Sequence, residues 1–142
     1  MSEITLGIIG GGQLGSMLAI AAKKLNVKTV VFCDDIDAPV QNFCNQFVTG
    51  SYDNKEKISE FINQVDLVTY EFENIPYETL NEINKFKPVL PKPSVNRLIQ
   101  HRLAEKDFVN KLNIRTTRYV SIEKKSDIDL SLIHISEPTR PR

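Results

Sequence analysis

The most restrictive feature of this chain is six residues long. Gly10-Gly11-Gly12-Gln13-Leu14-Gly15 is a G-x-G-x-x-G set between an apolar run and a helical pattern. Glycine permits a tight turn and close approach to the backbone, and a helix N-terminus beyond it offers N–H donors and partial positive charge. Thr5–Ile9, just before it, reads as a short strand buried on both faces. After it, Leu14, Met17, Leu18, Ala21, Ala22 and Leu25 recur at helical spacing and predict one apolar face. Asn26 suits the end of that helix, and Lys28–Phe32 reads as a second, β-branched strand. Strand, helix and strand within roughly thirty residues make a βαβ unit, and hence a parallel sheet.

The alternation continues along the chain. Pro39–Gln46 suits a short helix and Phe47–Thr49 a short strand. Asp53 is placed to cap a helix whose apolar face is Ile58, Phe61, Ile62 and Val65. Asp66–Tyr70 is a further strand, Pro76 stands where a helix with Leu80 and Ile83 facing inward would begin, and Val89–Leu90 is a brief strand. Ser94 would cap a longer helix ending near Leu112, and Thr116–Val120 suits a strand. The pattern predicts an α/β fold: an open, mostly parallel, Rossmann-like sheet with helices on both faces.

Composition excludes several functions. The 142 residues carry 18 basic and 18 acidic side chains, which leaves no positive field for nucleic acid or anionic lipid. No run approaches the ~18 apolar residues of a membrane-spanning helix, and the N-terminus lacks the basic region of a signal peptide. Two cysteines, Cys33 and Cys44, cannot make a disulfide framework or a four-ligand zinc site, and they suit small buried side chains. These features point to the cytoplasm.

Two segments can carry chemistry beside the glycine loop. Asp34 follows the second strand about twenty residues on, where an acidic side chain can hold a ribose hydroxyl, so spacing alone describes a dinucleotide fingerprint. Tyr70-Glu71-Phe72-Glu73-Asn74 follows the Asp66–Tyr70 strand. Ligands of open α/β sheets bind beyond the carboxyl ends of strands, the edge that also holds the glycine loop. In an extended segment Glu71 and Glu73 would point the same way, and such a pair suits an amine or hydroxyl donor. A solvated acidic loop is the plainer alternative. The charges at Arg97, Arg102, Lys106 and Lys111 suit the wet face of their helix.

Taken together, GIIGGGQLGSML, VTYEFENIP and HRLAEKDF resemble the 5-(carboxyamino)imidazole ribonucleotide synthase family of the ATP-grasp superfamily, over roughly residues 4–120. YEFEN is the most specific part. Ser16 departs from the family, which commonly has arginine after GGGQLG. The resemblance implies a pre-ATP-grasp, substrate-binding domain over residues 1–113 and the truncated start of an ATP-grasp domain over 114–129. Residues 130–142 resemble the translated read-through of a sequencing-library adapter and are expected to be foreign to the fold.

The resemblance also implies roles. Gln13, Leu14 and Glu71 would touch aminoimidazole ribonucleotide, with Glu73 and Asn74 shaping the same pocket and Gly10, Gly12 and Gly15 forming the loop. Arg102 would reach ATP phosphates. The implied reaction is ATP-dependent carboxylation of the ribonucleotide's exocyclic amine by bicarbonate, with magnesium at the transferring phosphoryl group. Magnesium ligands are expected beyond this chain, and the chain alone is expected to be inactive. The parent family is often homodimeric. Two alternatives stand beside this reading: the N-terminal domain of another ATP-grasp carboxylase or formyl-type ligase, or a free-standing NAD- or nucleotide-binding module built on Gly10–Gly15 and Asp34.

Overall fold

Short apolar runs become strands here because each is covered on both faces. A computed structural model describes residues 4–122 and 124–125. Four strands, β1 (Thr5–Ile9), β2 (Lys28–Cys33), β3 (Gln46–Thr49) and β4 (Leu67–Tyr70), form a parallel sheet in the order β3-β2-β1-β4. Alternate residues of β1 and β2 feed opposite layers. Ile8, Val31 and Cys33 face one cluster, while Ile9, Val30 and Phe32 face the other.

The helices divide between the layers. Helix α1 (Gln13–Lys24) and a 3₁₀ turn, Pro39–Asn42, contribute Ala19 and Val40 to the smaller cluster. Helices α2 (Lys55–Ile62) and α3 (Tyr77–Ile83) contribute Ile58, Phe61, Ile62, Leu80 and Ile83 to the larger one. Phe32 stacks on Phe61 with ring centroids 5.6 Å apart. Helix α4 (Pro93–Ile99) completes this first compact unit, Met1–His101.

Several local expectations change. The predicted apolar face of α1 is turned outward: Leu14 and Met17 are each 57% exposed and Leu25 75%. Of that face only Ala22 is buried, and Gly15, Ser16 and Ala19 are buried with it, because α1 approaches the sheet closely enough that only small side chains fit. Asn26 does end α1. It sits at φ 58° in a Schellman turn, with Val27 N–H donating to Ala22 O (3.0 Å) and Asn26 N–H to Lys23 O (3.1 Å). Helix α2 is capped by Asn54 rather than Asp53: Lys57 N–H donates to Asn54 Oδ1 at 3.0 Å, while Asp53 Oδ1 accepts from Ser51 Oγ. Ser94 caps nothing, since α4 begins one residue earlier, at Pro93.

Pro39–Gln46 yields only the 3₁₀ turn over Pro39–Asn42, and its last residue, Gln46, already opens β3. Val89–Leu90 is an isolated bridge against Val68, held by Val68 N–H to Pro88 O and Leu90 N–H to Val68 O. The long helix expected over Ser94–Leu112 is two, α4 and α5 (Arg102–Lys111), separated at Gln100–His101.

The second compact unit is Arg102–Arg142, of which α5 and the stretch to residue 125, apart from residue 123, are described. Helix α5 buries no residue and ends at Asn113, φ 59°, in a turn like that of α1. Thr116–Val120 forms no strand. Its side chains bond to α5 instead, with Lys106 Nζ donating to Thr117 Oγ1 (3.0 Å) and Asn110 Nδ2 to the Tyr119 hydroxyl (3.0 Å). The adapter-like segment 130–142 lies outside the described residues. Among the described residues no helix is long and apolar enough to cross a membrane.

Candidate functional site

The strand order creates the site. Chain progress from β1 to β2 to β3 runs toward one edge of the sheet, while β4 returns to the other side of β1. The loops leaving β1 and β4 therefore diverge, and the crevice between them is a topological switch point, where open α/β sheets bind ligands. Ile9 pairs with Tyr70, so the glycine loop and the Glu71 segment emerge side by side. Glu71 N–H donates to Ile9 O at 3.2 Å and ties the two together.

The glycines and Glu71 are mutually fitted. Gly10 has φ +120°, a conformation that L side chains rarely adopt. A Cβ there would lie 2.6 Å from Glu71 Oε1, and a Cβ on Gly15 would lie 2.4 Å from Gly10 O and 3.4 Å from Glu71 Oε1. The half-buried carboxylate thus rests on the glycine cradle. Helix α1 begins beside it with neither a side-chain cap nor an acidic residue in its first turn. Glu71 brings negative charge to that N-terminus from another strand, a favourable placement for a carboxylate.

This arrangement decides what the cradle can hold. In the dinucleotide fingerprint a pyrophosphate lies against the glycine turn and the helix N-terminus. Here Glu71 occupies that position, and its charge opposes a phosphate while accepting from amine or hydroxyl donors. Asp34 is exposed just beyond β2, beside Tyr52 and Cys33. The Tyr52 phenol is pushed well above its ordinary range by burial, then by the Asp34 carboxylate and Cys33 beside it. Burial also raises the Cys33 thiol, with Asp34 and Asp35 adding to the effect. The cradle, with Glu71 on it, does not fit a dinucleotide.

The other anticipated residues are distributed unevenly. Gln13 and Leu14 open α1 at the crevice and are exposed. Glu73 and Asn74 are also exposed, but they stand in a turn rather than an extended segment, so the parity that would aim Glu71 and Glu73 alike is lost. Ser16 is buried and donates to Gly12 O at 3.0 Å, so no cation stands at that position. Arg102 opens α5 in the second unit and pairs with Glu105. Among the described residues no cluster of three or more His, Cys, Asp or Glu could hold a metal ion, so no step through magnesium is assigned to these residues.

Sequence reasoning gave no role to the side chains of Tyr70, Asn96 and Gln100. Asn96 is fully buried, and its Nδ2 donates to Ile75 O at 3.2 Å. Gln100 Nε2 donates to Glu73 O (2.6 Å) and Ile75 O (2.7 Å). The Tyr70 hydroxyl and Asn96 Oδ1 are buried with no hydrogen-bond partner, each a cost of about 1–3 kcal/mol. Burial raises the Tyr70 phenol, and the nearby Asn96 backbone offsets part of that rise without meeting hydrogen-bond geometry. Two amides four residues apart on a helix are common, and nothing in the sequence indicates which carbonyls they meet.

Comparison with known proteins agrees with the geometry. Residues 3–100 match the family described as ribonucleotide synthetase preATP-grasp domain. The bifunctional purine synthesis protein purC/E of Dictyostelium discoideum is 39% identical over 134 residues, 94% of this chain and 13% of that protein. The crystal structure of N5-carboxyaminoimidazole synthetase from Staphylococcus aureus complexed with ADP superposes with a TM-score of 0.84 at 32% identity, over 92% of this chain and 35% of that one. N5-carboxyaminoimidazole synthase from Aspergillus clavatus, in complex with ADP and 5-aminoimidazole ribonucleotide, superposes with a TM-score of 0.80 at 26% identity, over 94% and 36%. The chain spans about a third of the length of these two enzymes.

Proposed function

The chain belongs to the ribonucleotide synthetase pre-ATP-grasp family, and from that premise we propose that it is the N-terminal, substrate-binding part of an ATP-dependent ligase of purine biosynthesis. The ligase carboxylates 5-aminoimidazole ribonucleotide with bicarbonate and yields N5-carboxyaminoimidazole ribonucleotide. In this reading residues 1–113 are the pre-ATP-grasp domain and 114–129 begin the ATP-grasp domain. The parent works in the cytoplasm, as a homodimer.

One observation carries the reading: the Glu71 carboxylate rests on the glycine cradle at the switch point, where a dinucleotide would need its phosphates. A carboxylate there accepts an N–H of the ribonucleotide's exocyclic amine and leaves the nitrogen lone pair available for carboxylation. Gln13 and Leu14 add a polar and an apolar contact from the first turn of α1, and the turn bearing Glu73 and Asn74 forms the opposite wall. ATP, when bound, supplies the phosphoryl group that activates bicarbonate, and Arg102 is assigned to its phosphates.

Titration calorimetry on the 142-residue chain tests this. 5-Aminoimidazole ribonucleotide is expected to bind, at least tenfold more weakly after Glu71→Gln, and NAD is expected not to bind. Binding of NAD with no binding of the ribonucleotide would overturn the proposal in favour of a dinucleotide module.

A further inference from the structure

The turn at residues 73–75 joins β4 to α3 and has no strand or helix partner for its own carbonyls. A buried carbonyl such as that of Ile75 requires donors, and α4 with its C-terminal cap supplies them there and at the exposed Glu73 carbonyl. Asn96 in α4 and Gln100, which caps its C-terminal end, lie one helical turn apart, and between them their side chains donate three hydrogen bonds to Glu73 O and Ile75 O. The two carbonyls bracket Asn74, and the Ile75 side chain is fully buried in the larger core cluster. The backbone beneath Glu73 and Asn74 is therefore fastened on both sides while their side chains stay exposed.

The chemistry of the clamp is specific. Carboxamides donate to carbonyls without adding charge. Asn96 is wholly buried with its Oδ1 unpaired, an arrangement that costs stability. An apolar side chain would avoid that cost but would donate nothing to Ile75 O. What the amide contributes is its N–H.

We infer that Asn96 and Gln100 are positioning residues: they set the presentation of the Glu73–Asn74 turn to the crevice and thereby the affinity for the ribonucleotide, an inference that rests on the substrate reading above. Neither residue touches the ligand in this scheme; both act through the turn.

The test uses the whole 142-residue chain with Gln100→Met, which removes both donors, and Gln100→Glu, which keeps the shape but only accepts. Gln100 is exposed, so both variants keep the fold. Backbone order parameters from NMR relaxation are expected to fall from rigid-backbone values toward those of a flexible loop at Asn74 and Ile75 in both, with the strand residues unchanged. Affinity for 5-aminoimidazole ribonucleotide is expected to fall at least tenfold. Unchanged order parameters at the turn, or lowered ones with unchanged affinity, would overturn the inference and leave the ligase reading standing. Absence of ribonucleotide binding in the unsubstituted chain would instead overturn the ligase reading and the affinity claim with it, the order parameters still deciding whether the amides clamp the turn.

Discussion

Helix α1 meets the sheet through Gly15, Ser16, Ala19 and Ala22, whereas α2 meets it through Ile58, Phe61 and Ile62. Both are amphipathic in sequence, yet only α2 turns its large apolar residues inward. The difference lies in what each helix is for. Helix α1 starts at the switch point and must bring its first turn against Gly10 O and the Glu71 carboxylate. That approach leaves no room for a leucine. Helix α2 has no such duty and packs at the distance its aromatic and branched side chains prefer. One layer was built for proximity and the other for volume.

Substitutions can break or sharpen this contrast. The largest effect is expected on the volume side: Phe61→Ala should cost about 3–5 kcal/mol in chemical denaturation, as a fully buried aromatic leaves a cavity. Gly15→Ala, on the proximity side, should cost about 1–3 kcal/mol, because its Cβ would lie 2.4 Å from a backbone oxygen that cannot swing aside as a side chain would. A Gly15→Ala chain as stable as the parent would remove the steric reason for the small-residue face of α1.

A smaller effect separates Asn54 from Asp53. Asn54→Ala should cost about 1 kcal/mol by removing the bond to Lys57 N–H. Asp53→Ala, which leaves that cap in place, should change stability by less than ~0.5 kcal/mol. Equal losses in thermal melts of the two variants would show that both residues serve the start of α2. The smallest effect is expected at Met17→Gln, within ~0.5 kcal/mol, because that side chain is 57% exposed. A loss near 2 kcal/mol would mean that the outer face of α1 is packed after all.

Much of the first unit was legible before any coordinates. The apolar faces of α2 and α3 were placed correctly at Ile58, Phe61, Ile62, Val65, Leu80 and Ile83, because ordinary packing rewards the periodicity that the sequence displays. Asn26 was legible as a helix end because asparagine tolerates the left-handed conformation there. The face of α1 was misread, since periodicity ranks residues by size and hydrophobicity and is blind to a helix forced close to backbone. The break between α4 and α5 carries no glycine or proline. It falls where the Gln100 side chain turns to carbonyls about twenty-five residues earlier in the chain, a tertiary event. The conformation at Glu73 was misjudged for a related reason, as nothing local distinguishes an extended segment from a turn held by distant side chains.

The amino-acid sequence by itself determined the βαβ order, the glycine loop and the acidic segment after the fourth strand, and with them the family. Those features are local, being set by side-chain periodicity and by backbone freedom at a few residues. Only the tertiary structure placed β4 beside β1, opened the switch point between them and laid Glu71 on the glycines. That choice depends on how four strands share two packed faces, a property of the assembled sheet that no single stretch of the chain contains.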